Sequence, residues 1–157
     1  MKIFLVFTGK SAEEYLKEGV KMYVARLKHY IPVEVQELTP PKLSVSLNAG
    51  QIRILESEWI VKNLPDSGYL VLLDETGKSL SSAGLADFLQ ARMNQGIRNL
   101  TFIIGGAYGV SDALKQKADF ILSLSTLTFT HQMSRLILAE QLYRAMTILK
   151  NEPYHNP

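Results

Sequence analysis

Short apolar runs alternate along the chain with stretches of helical period. Ile3–Thr8 is the first run, and Ala12–Tyr30 follows with Leu16, Val20, Tyr23, Val24 and Leu27 on one helix face. Val33–Thr39 (VEVQELT) alternates at its start, which predicts a half-exposed strand. Pro40-Pro41 ends it, because proline has no N–H to give to a ladder. Gln51–Asn63 returns to helical spacing through Ile52, Leu55 and Trp59. Tyr69–Leu73 (YLVLL) is apolar on both faces, as a central strand of a parallel sheet must be. Leu85, Phe88, Leu89 and Met93 mark a further helix, Leu100–Ile104 and Phe120–Leu124 two more buried strands, and Gln132–Lys150 the last helix. This order predicts an α/β fold with an open, mostly parallel sheet flanked by helices. The polar, turn-rich Thr39–Gly50 does not divide it, so residues 1–157 read as one domain.

Composition narrows the chemistry. The chain has 157 residues and no cysteine, which removes disulfides, thiolate metal sites and cysteine nucleophiles together. His29, His131 and His155 show no metal-ligand spacing, so no metal is expected. A net charge of +2 permits contact with nucleic acid without requiring it. Lys17, Lys21, Arg26, Lys28, Lys42, Arg53, Lys78, Arg92 and Arg98 are scattered, and each taken singly reads as a solvated charge. The first apolar run is too short for a signal-peptide core, and no stretch approaches the roughly 20 apolar residues that cross a bilayer. A cytoplasmic protein without membrane attachment is expected.

Candidate chemistry begins at Gly105-Gly106 and Gly109, between a strand and a helix start. GGAYGVS has neither the lysine and hydroxyl of a phosphate loop nor the spacing of a dinucleotide fingerprint. Ser111 suits an N-cap, and Asp112 at the helix start would repel a bound phosphate. The turn therefore suits a ligand that does not present phosphate there, or serves only as a tight turn. A second segment, Ser123–Ala145, interleaves leucines with small hydroxyl residues (SLSTLTFT) before the last helix. Such a loop offers backbone polar groups and apolar grips to a flat base, or merely feeds a helix cap.

YLVLLDETGK (69–78), FIIGGAYGVSD (102–112), LSLSTLTFTHQMSRLILAEQLYRA (122–145) and the closing NEPYHNP (151–157) together resemble the RlmH (YbeA) family of SPOUT-class methyltransferases. The resemblance spans essentially the whole chain. It implies a C-terminal trefoil knot, a feature no periodicity reveals. It also implies S-adenosyl-L-methionine as cofactor and N3 of a pseudouridine in 23S ribosomal RNA, within the ribosome, as the methyl acceptor. Carried over by position, the cofactor contacts fall on Leu73, Gly105, Leu124, Ser125, Thr126, Leu127, Thr128 and Phe129. Tyr154 and His155 match a Tyr-His pair beside the methyl donor, with His155 as the candidate base or orienting group. The other reading of that segment is a frayed terminus.

The resemblance also places His131 and Arg135 toward the RNA, and Arg144 among the catalytic residues. His131 equally suits capping or packing, and Arg144 equally suits a helical ion pair with Glu140. Asn156-Pro157 stand where the family commonly carries a charged residue, which removes a terminal arginine as a phosphate contact. The last helix is apolar almost all round, through Met133, Leu136, Ile137, Leu138, Leu142, Tyr143, Met146 and Leu149. Its burial comes from the chain's own sheet or from a second copy, and the family's homodimers favour the second. Two other functions fit the same pattern: a nucleotide- or metabolite-binding α/β module, and a ribosome-binding factor without activity.

Overall fold

The computed structural model describes residues 1–10, 13–40, 46–65 and 67–156. Ala12, Pro41, Lys42 and Pro157, all named above, lie outside the described residues. Strands β1 (Lys2–Thr8), β2 (Val33–Leu38), β3 (Tyr69–Ser79), β4 (Asn99–Ile104) and β5 (Phe120–Ser123) alternate with helices α1 (Glu14–Leu27), α2 (Ala49–Lys62), α3 (Ser82–Asn94), α4 (Asp112–Lys117) and α5 (His131–Leu149). The strands form one parallel sheet in the order β2-β1-β4-β3-β5. β1 leads outward to β2 at one edge, while β4 leads over β3 to β5 at the other. The carboxyl ends of β1 and β4 thus flank the point where connections diverge, the usual ligand crevice of an open α/β sheet.

Register divides the core into two layers. Leu5, Phe102 and Val71 pair across neighbouring strands and face one way, with α1, α3 and α5 over them. The next row, Val6, Ile103 and Leu72, faces the other way and packs with Ile60 of α2, Val110 and Leu114 of α4. Period-two alternation thus buries both faces of the central strands. The predicted face of α1 is the buried one: Leu16, Val20, Val24 and Leu27 all pack inward.

Several features differ from the sequence reading. β3 does not stop at Leu73. Leu73 and Lys78 both pair with Leu122, so Asp74–Gly77 form an irregular excursion before pairing resumes. β5 ends at Ser123 rather than Leu124. The apolar stripe expected on α2 is not its buried face: Leu55 and Ile54 are exposed, while Ser57 and Ile60 are buried. Ser57 belongs inside because its Oγ accepts from the Ser111 amide at 2.8 Å and donates to the Arg53 carbonyl at 2.8 Å. The helix begins at Ala49, two residues early, where Asn48 and Gln51 form a reciprocal capping box.

Candidate active site

A cavity of about 910 Å³ opens at the carboxyl ends of the strands. Leu73 at the β3 irregularity, Gly105 after β4, and Leu124, Ser125, Leu127, Thr128 and Phe129 after β5 all line it. Thr126 lies in the same loop but is not part of the lining. Residues far apart in sequence thus converge because parallel strands put all their outgoing loops at one end.

The glycine turn is held by close approach and by backbone conformation. A Cβ on Gly105 would lie 2.6 Å from Val110 Cγ1, and Gly109 has φ +76°, in the left-handed region. The Gly109 amide closes the turn on the Gly106 carbonyl at 3.1 Å. Ser111 then caps α4, accepting from the Leu114 amide at 3.3 Å. In the loop after β5 the hydroxyls are spent on shape. Ser123 donates to the Ser125 carbonyl at 3.0 Å, and Ser125 Oγ accepts from the Leu127 amide at 2.9 Å. Thr130 caps α5 by accepting from the Met133 amide at 3.2 Å.

Several lining residues have no counterpart among the predicted ones: Glu13, Tyr15, Asp74, Glu75 and Tyr108. The carboxylate of Asp74 was hidden in the sequence because the excursion that presents it depends on pairing with β5. Burial by itself raises the Asp74 carboxyl. Lys115 at 2.8 Å and the Thr76 amide and hydroxyl outweigh that and hold it below the usual carboxylate range. No lysine or arginine lines the cavity among the described residues. Beneath the glycine turn, Glu56 Oε2 is buried without a hydrogen-bond partner, and burial raises its carboxyl.

His131 lines the cavity at the start of α5, and burial, followed by the Arg135 charge, lowers its pKa. Arg135 itself is turned inward, contrary to its expected place against RNA. Its side chain is 1% exposed, Nη2 donates to the Thr8 carbonyl at 2.6 Å, and Nη1 lies 3.9 Å from Glu37. Position 135 shares its helix face with Leu138, Ala139 and Leu142, all buried, so helical phase carries the guanidinium into the core.

Arg144 and Tyr154 meet elsewhere, beside Glu140 in the middle of α5, and His155 follows Tyr154 in the tail. Arg144 pairs with Glu140 at 2.5 Å, as the ion-pair reading had it, and its guanidinium lies 4.6 Å from the Tyr154 ring centre. The Tyr154 hydroxyl donates to Glu140 at 3.1 Å. Burial, the Tyr23 hydroxyl and Glu140 push its pKa up, so it stays a protonated phenol. The tail is therefore docked, not frayed. His155 turns Nδ1 inward, where it is buried without a partner. Among the described residues there is no cluster of side chains suited to a metal, and no helix is long and apolar enough to cross a membrane. Of the scattered bases, Arg92 is engaged within the fold, donating to the Tyr69 hydroxyl at 3.0 Å and lying over the Tyr69 and Phe88 rings.

Comparison with known proteins agrees with this geometry. Residues 1–155 match the family model described as "Predicted SPOUT methyltransferase". Proteins named ribosomal RNA large subunit methyltransferase H are similar along their whole length. Those of Syntrophotalea carbinolica and Christiangramia forsetii are 47% and 46% identical, with 99% of each chain covered. The one from Halothermothrix orenii is 46% identical at the same coverage. Among solved structures, a putative methylase family protein from Neisseria gonorrhoeae superposes with a TM-score of 0.54 at 12% identity, over 99% of this chain and 86% of that one. A probable methylase family protein from Haemophilus influenzae gives 0.53 at 13% identity, over 95% and 66%. These two likenesses concern the fold. The family match and the full-length relatives, taken with the cavity at the strand ends, establish that the chain belongs to the SPOUT methyltransferases.

Proposed function

We propose that this methyltransferase uses S-adenosyl-L-methionine to methylate N3 of a pseudouridine in 23S ribosomal RNA, acting on the ribosome in the cytoplasm as a homodimer. The observation that carries the reading is the cavity. Loops from three strand ends, each holding positions that the resemblance assigns to the donor, line one space with carboxylates and, among the described residues, no lysine or arginine at its wall. That lining suits adenosine and a cationic sulfonium better than a polyphosphate. The names of the full-length relatives support ribosomal RNA as the acceptor.

When bound, the cofactor supplies a methyl group that is already activated. The chain's own residues supply position and proton handling. Leu73, Leu124, Leu127 and Phe129 provide apolar contact, and Gly105 with the backbone of Ser125, Leu127 and Thr128 provides close polar contact. Tyr154 is not a base, since its phenol is held protonated, and it serves to orient the tail. His155 Nε2 accepts or shares the imide proton of N3. His131, held neutral, is available to hydrogen-bond the base at the cavity mouth.

A second copy follows from distance. The cavity sits at the first turn of α5, and the tail leaves its last. Tyr154 docks beside Glu140, nine residues along α5 from His131 and so a rise of about 14 Å, and His155 is not among the residues that line the cavity of its own chain. We place it at the cavity of a partner copy.

The test is mass spectrometry of ribosomal RNA from cells with and without the protein. The methylated pseudouridine should vanish with the protein, and equal abundance in both would refute the reading. Calorimetry with S-adenosylmethionine should show saturable binding. Silence there, alongside binding of a phosphate nucleotide, would favour a nucleotide-binding module.

A further inference from the structure

We infer that Tyr30 and Glu152 form a clasp that positions the C-terminal tail, so that the direction of His155 is set by the turn after α1. This rests on the reading that Tyr154 and His155 act on the substrate.

The tail leaves α5 through a defined turn. Lys150 caps the helix and Asn151 adopts φ +55°. The Asn151 amide donates to the Ile148 carbonyl at 3.0 Å and the Glu152 amide to the Thr147 carbonyl at 2.9 Å. This paired pattern is a Schellman motif with asparagine in the left-handed position, and Pro153 then prevents any return to helix. The motif fixes where Glu152 begins but not where its side chain goes. Tyr30 settles that. Its hydroxyl donates to Glu152 Oε2 at 2.5 Å, across 122 positions of sequence. The backbone of Glu152 is engaged as well, its carbonyl accepting from the Tyr154 amide at 2.9 Å.

Glu152 is thus gripped on its side chain by one element and on its backbone by the residue that precedes His155. The Tyr30 ring lies 6.0 Å from that of Tyr143, which in turn meets Tyr154 edge-on at 4.7 Å. Ring contacts and the clasp together define one tail conformation. The hydrogen bond to Glu152, followed by burial, pushes the Tyr30 pKa up to about 12, so the phenol remains a donor throughout the neutral range. Neither residue touches the cavity, so both are positioning residues rather than catalytic ones.

Tyr30→Phe removes the hydroxyl and keeps the ring. Glu152→Gln keeps an acceptor, and Glu152→Ala does not. On ribosomes from cells lacking the protein, Tyr30→Phe and Glu152→Ala should each slow single-turnover methylation about five- to tenfold, the effect of losing one charge-assisted hydrogen bond. Glu152→Gln should restore most of the rate. S-adenosylmethionine affinity by calorimetry should stay within about twofold in all three, because the clasp lies away from the cavity. Backbone order of residues 152–156, read from heteronuclear NOEs, should fall in Tyr30→Phe. A wild-type rate in Tyr30→Phe, unchanged tail order, or a matching loss of cofactor affinity would overturn the clasp. His155→Ala, measured in parallel, separates the two levels. If it methylates normally, the tail reading itself fails. If it is slow while Tyr30→Phe is fast, the clasp alone fails.

Discussion

At the scale of single residues, the cavity depends on atoms that are missing as much as on those present. Gly105→Ala would drive a Cβ to 2.6 Å from Val110 Cγ1 and 3.3 Å from the Gly109 carbonyl. The turn must then open, and cofactor affinity should fall at least about tenfold in a calorimetric titration while the chain stays folded. The opposite sign is expected at Glu56. Its carboxyl is raised by burial, so the folded state binds the proton more tightly than the unfolded state between the ordinary value of 4.5 and the raised one. Stability is therefore lost as pH rises through that window. Glu56→Gln should flatten this dependence and raise the melting temperature near neutrality by about 1–3 °C. Asp74 and His131 behave in reverse, since both folded values are depressed. Each contributes stability that declines as pH falls below its unfolded value, near 3.8 for Asp74 and near 6.5 for His131. Thermal scans from pH 8 to pH 5 should thus show a decline attributable to His131, removed in His131→Asn.

At the scale of elements, what the sequence disclosed was whatever repeats at a fixed period. The buried stripe of α1 and the doubly apolar YLVLL and LTFII runs stand in the structure where periodicity puts them. The α2 stripe misled because its inward face is built on a hydrogen bond, Ser57 to the Ser111 amide, and a polar residue leaves no mark in hydropathy. The excursion at Asp74–Gly77 was invisible for a related reason: it is defined by what β5 pairs with, and pairing is not local. The positions expected to contact a cofactor came from resemblance, and parallel topology makes all but Thr126 neighbours around one cavity, whereas Asp74, Glu75 and Tyr108 joined it only through tertiary placement. Arg135 shows the limit of residue type as a guide. A cation four positions after His131 suggests RNA, yet helical phase alone decides that it faces Thr8. The end of α5 yields a prediction of its own. Asn151 holds a left-handed conformation at φ +55°, so Asn151→Gly should be neutral or mildly stabilising, and Asn151→Ala should cost about 1 kcal/mol in chemical unfolding.

At the scale of the whole molecule, the proposed donor cavity and the proposed acceptor-facing tail are separate within one chain. Leu73, Gly105 and the loop after β5 surround the cavity at the start of α5, while Tyr154 and Arg144 gather around Glu140 midway along it, with His155 next in the tail. About 14 Å of helix, from His131 to Glu140, lies between them within one chain. In the homodimer we propose, two copies related by a twofold axis would bring the cavity of each to the tail of the other, and every such site would draw on both chains. This makes a complementation experiment decisive. Gly105→Val should lack a usable cavity but keep an intact tail, and His155→Ala should lack the tail's imidazole but keep an intact cavity. Each alone should methylate ribosomes at a small fraction of the wild-type rate. Unfolded together and refolded in equal amounts, half the dimers become mixed, and each mixed dimer regains one site built from the unaltered cavity and the unaltered tail. The recovered rate should be about one quarter of wild type. If each site were completed by its own chain, no mixed dimer would contain an intact one, and the mixture would stay as slow as its components.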